Sequence, residues 1–471
     1  MAFDDGVLDL LVIGGGTAGI VGARTVARLG ARTVLVERSR TGGDCLWTGC
    51  VPSKTILSVA RASAVERELT GSGTDFSAVR ARIAATIAAI QPDDSAESLR
   101  DAGVTVLSGT ARFTAPGEAE VDGRRGRFRQ TLIATGSAPT VPGIPGLDDA
   151  RTVTSETVWD LEELPRRLVV VGGGPIGCEL GQAFARLGAQ VVLVARSGIL
   201  PKEDRDAAAL VHESLVSDGV RVVENAGADR VDAHEDGSST VHTSDGQAFA
   251  ADVVLVAAGR TARTEGLGLD AVGVRTDDSG HVVVDARMRT SRPTVWAAGD
   301  VTPYPEFTHL AGVHGSTAAS NAVLGLRRSV SGTVPRVTYT SPELAAVGVT
   351  EASGKGRTTS TIRHGDTDRA VTEQHPGGMT RIVVDRRGRI LGGTVVGPRA
   401  GESLAELTLA VEQRLSTRDL AGVTHPYPTY NDALWNAAIA HAGSALDSPV
   451  AGAAVQALLR LNRWRVRRST R

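Results

Sequence analysis

One stretch of this 471-residue chain occurs twice, and that constrains its fold more than any other feature. LLVIGGGTAGIVGARTVARLGARTVLVER runs from Leu10 to Arg38, and LVVVGGGPIGCELGQAFARLGAQVVLVAR from Leu168 to Arg196. Each copy reads as an apolar strand, a glycine turn, a helix and a second strand, the unit from which doubly wound parallel sheets are built. Each turn carries the spacing G-x-G-x-x-G, as Gly14, Gly16 and Gly19, then Gly172, Gly174 and Gly177. The first glycine permits the tight turn. The second lets a pyrophosphate approach the backbone, at a helix N-terminus with free N–H groups, and the third lets helix and strand pack closely. Two dinucleotide sites follow, in an α/β chain with two Rossmann-like domains.

The ends of the second strands distinguish the two sites. The first copy ends on Glu37, whose carboxylate can bond both ribose hydroxyls of an adenosine. The aligned position in the second copy is Ala195, followed by Arg196, with Lys202 further on. Without an acid the usual 2′-hydroxyl acceptor is missing, whereas Arg196 and Lys202 can pair with a 2′-phosphate. The second site therefore reads as NADPH-binding. Lys202 is one of only three lysines, with Lys54 and Lys355. Arg38 also follows Glu37, so the exchange of Glu for Ala is the stronger sign.

Composition excludes several classes. A net charge of −2 argues against a general nucleic-acid binder. The N-terminal MAFDDGVLDL is acidic and is not expected to be a signal peptide, and no apolar run has membrane-spanning length. Three cysteines do not make a secreted disulfide scaffold, so a cytoplasmic protein is expected.

Two of those cysteines lie in TGGDCLWTGCVPSK, Thr41 to Lys54. No further ligands surround Cys45 and Cys50 at zinc-site spacing, and no metal site is expected. A structural staple across so small a loop would stabilise little. A redox pair fits better. The segment from about Pro52 has helical spacing, which sets Cys50 at a helix N-terminus where the dipole lowers a thiol pKa. Cys178 follows the third glycine of the second copy on a buried face and reads as inert.

These motifs together resemble the flavoprotein disulfide reductases, the family of glutathione reductase, dihydrolipoamide dehydrogenase and mercuric reductase, over nearly the whole chain. GGDCLWTGCVPSK, with Gly43, resembles the redox-disulfide motif. LIATGSAP, with Thr135 and Gly136, and LVAAGRTART, with Gly259, resemble the strands closing the first and second nucleotide domains. VWAAGDVT resembles the second flavin motif. The resemblance implies that Asp300 of that motif holds the ribityl chain of FAD. It implies that Cys50 is the thiolate against the flavin and Cys45 the outer thiol that meets substrate. It also pairs Lys54 with Glu179 near the flavin. Pro175 stands where several relatives have a gating tyrosine. VTYTSPELAAVGVTEA resembles the start of the dimerisation domain. The implied order is an FAD domain (1–150), an NADPH domain (151–270), a return to the FAD domain (271–335) and an α+β dimerisation domain (336–471). PGIPGLDD, Pro142 to Asp149, supports a linker at the first boundary. Loops near Gly71–Gly73 and Gly354–Gly356 read as exposed. A homodimer is implied, each site completed by the other copy's C-terminal domain and acting on a small-molecule substrate.

The departure is THPYPTYND, Thr424 to Asp432. Disulfide reductases of this kind have His-Pro-Thr-x-x-Glu, an acid/base pair reaching the other subunit's thiols. Here Tyr427 stands for the histidine and Asp432 for the glutamate, as catalytic candidates. His425 lies two residues away. Mercuric reductase also has a tyrosine there, yet carries a C-terminal cysteine pair that this sequence lacks. The expected activity is electron transfer from NADPH through FAD and Cys45–Cys50 to a small disulfide or a thiol-bound metal ion such as Hg(II). The alternative is a dihydrolipoamide dehydrogenase-like enzyme or a quinone-reducing diaphorase. The tail RLNRWRVRRSTR has six arginines and no acid; it reads as a frayed, solvated end, with an acidic lipid surface as the other reading.

Overall fold

A computed structural model describes residues 6–71, 73–351, 353–354, 356–444, 446 and 449–469. Ser72, Lys355 and Arg471, in the loops and tail singled out above, lie outside them. The chain forms two compact units, 1–200 with 215–332, and 201–214 with 333–471.

The first unit contains both copies of the repeat. Val7–Ile13 and Thr33–Glu37 pair in parallel, with Leu10 opposite Thr33, and Val104–Ser108 continues the parallel edge. On the other side Val7–Ile13 pairs in parallel with Arg124–Ile133, which also takes Val295–Ala297. Glu118–Val121 and Ala111–Ala115 complete this seven-stranded sheet as antiparallel strands. Leu10, Leu11 and Val12 are buried together, as a strand covered on both faces must be. The helix Thr17–Ala27 packs on one face beside Thr308–Leu324.

The second copy builds a five-stranded parallel sheet, in the order Arg221–Glu224, Gln190–Ala195, Arg167–Val171, Val253–Val256, Thr152–Thr154. Its helix is Pro175–Leu187, with proline in the first turn and Gly188 ending it at φ 117°. The third glycines do what their spacing predicts. A Cβ on Gly19 would lie 1.9 Å from the Gly14 carbonyl oxygen, and one on Gly177 2.0 Å from that of Gly172.

The second unit is a five-stranded antiparallel sheet, Arg336–Thr338, Glu343–Gly348, Ile390–Gly397, Met379–Asp385, Arg357–Arg363. Ala400–Glu412 and Asp432–Ser444 supply Leu404, Leu407 and Leu434 to its core with Val347 and Ile382. One sequence expectation is corrected here. Up to Ser469 the arginine-rich tail is not frayed, because Pro449–Ser469 is a continuous helix. Ala, Leu, Gln and Arg dominate it, all strong helix formers.

Candidate active site

The redox segment opens with a short helix, Gly43–Trp47, followed at once by the long helix Cys50–Thr70. The long helix starts at Cys50 itself, two residues earlier than the proline alone predicts, so Cys50 occupies its first position. Gly49 makes the junction possible. Its N–H donates to the Asp44 carbonyl at 2.5 Å, and a Cβ there would lie 2.8 Å from the same oxygen.

The two thiols are partners. Both are half-buried, with a hydrogen bond between their sulfurs. Cys50 Sγ also meets the Thr308 hydroxyl at 3.2 Å. The hydrogen bond from Cys45 pulls the Cys50 thiol down to about 6 against the cost of burial, helped by Thr308 and the Lys54 charge. The same hydrogen bond, with burial, pushes Cys45 far up. At neutral pH the pair holds one proton on Cys45 and a thiolate at Cys50. Cys178 is fully buried and raised by desolvation, as an inert thiol is.

Lys54, one turn into the same helix, donates from Nζ to Glu179 Oε2 at 2.8 Å. Glu179 is 5% exposed and sits in the second turn of Pro175–Leu187. The pair expected from sequence is therefore formed, and it ties the redox helix to the helix of the second glycine turn.

Cys45 and Thr308 line a cleft of ≈ 410 Å³ with Gly14, Gly16, Glu37, Gly43, Thr135, Gly136 and Asp300. Sequence candidates from four separate segments thus meet in one place. Glu37 is fixed at the cleft wall by N–H donors of Gly15 (2.7 Å) and Ser39 (2.8 Å). Gly16 and Gly43 form the floor; a Cβ on Gly43 would come 2.6 Å from Gly16 Cα. Asp300 accepts from Ser137 Oγ at 3.1 Å, and burial raises its carboxyl above the usual range.

Several residues escaped the sequence reading. Arg260 donates to Ser137 Oγ at 2.7 Å and pairs with Asp44, and Arg263 pairs with Glu156 at 2.6 Å. This network holds the AAGRTART strand against the redox loop. Both arginines were inside a motif the sequence offered. Thr308, by contrast, had no local signal, because it lies 258 residues from the thiol it touches.

At the second glycine turn, Gly172 has φ 128° and Gly174 faces open space at the helix N-terminus. Arg196 is exposed just past the strand end, and Gly259, at φ 133°, accepts through its carbonyl from Thr140 N–H. Lys202 is exposed in the segment 201–214 of the second unit.

Within that second unit, Tyr427 is 68% exposed, and its hydroxyl donates to Asp368, which raises its pKa. Asp432 does not face Tyr427 with a hydrogen bond. Its oxygens accept from the Thr429 N–H (3.0 Å) and hydroxyl (3.1 Å) at the start of the Asp432–Ser444 helix. His425 is turned inward. Its ring stacks on Trp435, and its nitrogens meet the Val423 carbonyl at 3.0 Å and Glu406 at 2.8 Å.

Two dinucleotide folds, one opening onto a dithiol, define a pyridine-nucleotide-dependent redox enzyme. Residues 8–315 match the pyridine nucleotide-disulphide oxidoreductase family, and 334–438 match its dimerisation domain. The chain is 36% identical over 449 residues to the mercuric reductase of Streptomyces lividans, covering 90% of this chain and 94% of that one. It is also 36% identical over 461 residues to the dihydrolipoyl dehydrogenase of Thermus scotoductus, covering 91% and 96%. Among solved structures, the Cu(II) complex of the HOCl-induced flavoprotein disulfide reductase RclA from Escherichia coli superposes with a TM-score of 0.84 at 28% identity, covering 92% of this chain and 99% of that one. LpdA from Mycobacterium tuberculosis does so at 0.84 and 29%, with the same coverage. The chain belongs to the pyridine nucleotide-disulphide oxidoreductase family, and it is an oxidoreductase using FAD and NAD(P)H. The bare glycine floor, the fixed Glu37 and the half-buried Asp300 fit FAD in the cleft beside Cys45. The open Gly174 turn fits a pyrophosphate.

Proposed function

We propose that this enzyme carries electrons from NADPH to the Cys45–Cys50 disulfide and on to a small disulfide or a thiol-bound metal ion such as Hg(II). The observation that carries this reading is the asymmetric thiol pair, with a Cys50 thiolate near pKa 6 held by Cys45, Thr308 and Lys54. FAD held there would supply two-electron transfer between reduced nicotinamide and a disulfide. The chain's own residues do the rest. Glu37, Gly16 and Gly43 bind at the dithiol cleft, with Thr135, Gly136 and Asp300 further along it. Gly172, Gly174, Gly177, Arg196 and Gly259 bind at the second turn, with Arg196 selecting the 2′-phosphate. The Lys54–Glu179 pair keeps a cation beside Cys50. In this reading residues 1–150 and 271–335 serve FAD, 151–270 NADPH, and 336–471 the homodimer contact.

With a disulfide substrate, Cys45 loses its proton and attacks one sulfur. A mixed disulfide forms and one thiol leaves, taking a proton. The Cys50 thiolate then attacks Cys45, re-forming the internal bond and releasing the second thiol. With a metal ion, both sulfurs displace its two thiolate ligands, one of which leaves with the Cys45 proton. The ion then takes two electrons from the sulfurs as the Cys45–Cys50 bond re-forms, and departs reduced, so no proton has to be delivered by another group.

The metal-ion branch is favoured by the chemistry of residues 424–432. Tyr427 is a poor proton acceptor, more so beside Asp368, and His425 is engaged on both nitrogens within its own unit. A bulky disulfide requires the proton shuttle that histidine supplies elsewhere in the family. Likeness to the dihydrolipoyl dehydrogenase favours the dithiol alternative. Steady-state turnover with NADPH against thiol-bound Hg(II), glutathione disulfide, lipoamide and quinones decides. Fast turnover of lipoamide, undiminished in His425→Ala, removes the metal-ion reading. Quinone turnover that survives Cys50→Ser unchanged removes the dithiol from the pathway.

A further inference from the structure

The helix Pro449–Ser469 presents a surface that the redox chemistry does not use. From 453 to 468 every residue is exposed, among them Leu458 (65%), Trp464 (52%) and Val466 (55%). Its charged groups are all of one sign, Arg460, Arg463, Arg465, Arg467 and Arg468, with no acid. At 100° per residue, Gln456, Arg460, Arg463 and Arg467 share an arc of about 60°, whereas Val450, Ala454, Leu458, Leu461 and Trp464 lie along a stripe of about 120°. Val455, Leu459 and Val466 extend the apolar side. Arg465 and Arg468 fall within it in the last turns, where long stems carry the guanidinium outward. The Arg468 guanidinium already lies 4.4 Å from the Trp464 ring centroid.

We infer that this helix lies flat on an anionic lipid surface and holds the enzyme there. A globular protein gains nothing from seven exposed large apolar side chains on one helix unless something covers them. A face that joins apolar residues to positive charge alone matches acyl chains beneath anionic headgroups, and tryptophan suits the boundary between them. Among the described residues no helix is long and apolar enough to cross a membrane, so the helix rests on the surface rather than spanning it. A second copy of the chain or a nucleic acid would use only one half of this pattern, the apolar or the basic.

The test uses the full-length holoenzyme, sedimented with phosphatidylcholine vesicles that contain or lack phosphatidylglycerol. Binding to the anionic vesicles should exceed binding to the neutral ones at least tenfold and weaken with salt. Arg460→Glu/Arg463→Glu/Arg467→Glu should lose on the order of a hundredfold in vesicle affinity. Leu458→Ser/Leu461→Ser should lose at least tenfold. NADPH-dependent turnover and the melting temperature should stay at wild-type values in both variants. Equal binding to neutral vesicles, or no binding to either, overturns the inference. So does a drop in oligomer size in the leucine variant, which assigns the face to a second copy. Capture of duplex DNA that the arginine variant loses and the leucine variant keeps assigns it to nucleic acid and also overturns the inference.

Discussion

The chemistry at residue scale turns on one shared proton. Above about pH 6 Cys50 is a thiolate, and below it both sulfurs are protonated. Alkylation of the reduced protein at Cys50 should therefore accelerate through pH 6 and level off above it. Thr308→Val removes a hydrogen bond that favours the charged form. At about 1 kcal/mol it should raise this midpoint by about one pH unit. An unmoved midpoint would mean the hydroxyl does not serve the thiolate. Arg196 gives a second residue-scale expectation. Arg196→Ala should raise KM for NADPH about ten- to a hundredfold while leaving NADH nearly unchanged. Equal losses with both nucleotides, measured side by side, would remove its role as selector. The sequence exposed these residues unevenly. Cys45, Cys50 and Glu37 stand in local motifs whose spacing carries the chemistry. Thr308 and the inward turn of His425 depend on tertiary contacts, which no spacing encodes.

At the scale of elements, glycines with the same motif letter have different duties. In Gly177→Ala the new methyl would collide with the Gly172 carbonyl oxygen, so the second sheet should lose about 1–3 kcal/mol, seen as a lower melting temperature. Gly174→Ala meets open space and an ordinary φ of −75°, so stability should hold while nucleotide affinity falls. If Gly174→Ala keeps wild-type nucleotide affinity, the turn is not a binding surface. The Lys54–Glu179 contact joins two helices in the same way. Lys54→Met removes the cation facing a nearly buried carboxylate and should destabilise by about 1–3 kcal/mol, with partial recovery in Lys54→Met/Glu179→Gln. The sheets were legible because both copies show uninterrupted apolar strands. The C-terminal helix was not, since dense arginine reads as solvated chain when the apolar stripe on its other side is overlooked.

For the whole molecule, the proposed reading has the dimerisation domain bring the exposed Tyr427 of one copy to the thiols of the other, so that the site is a property of the pair. Co-purified mixed dimers of Cys50→Ser and a variant disabled at Tyr427 should regain about half of wild-type turnover, because one of two shared sites is intact. No recovery would place the whole site in a single chain. Another consequence follows from the helix Pro175–Leu187, which begins at the second glycine turn and carries Glu179 to Lys54. Events at its first turn and the charge around Cys50 share one rigid rod. An oxidised nucleotide, which has no electrons to give, should still alter the alkylation rate of Cys50. Thermodynamic reciprocity then requires that nucleotide affinity itself change as pH crosses the thiol's titration near 6. The protein would thus sense the protonation of its own nucleophile before any electron moves.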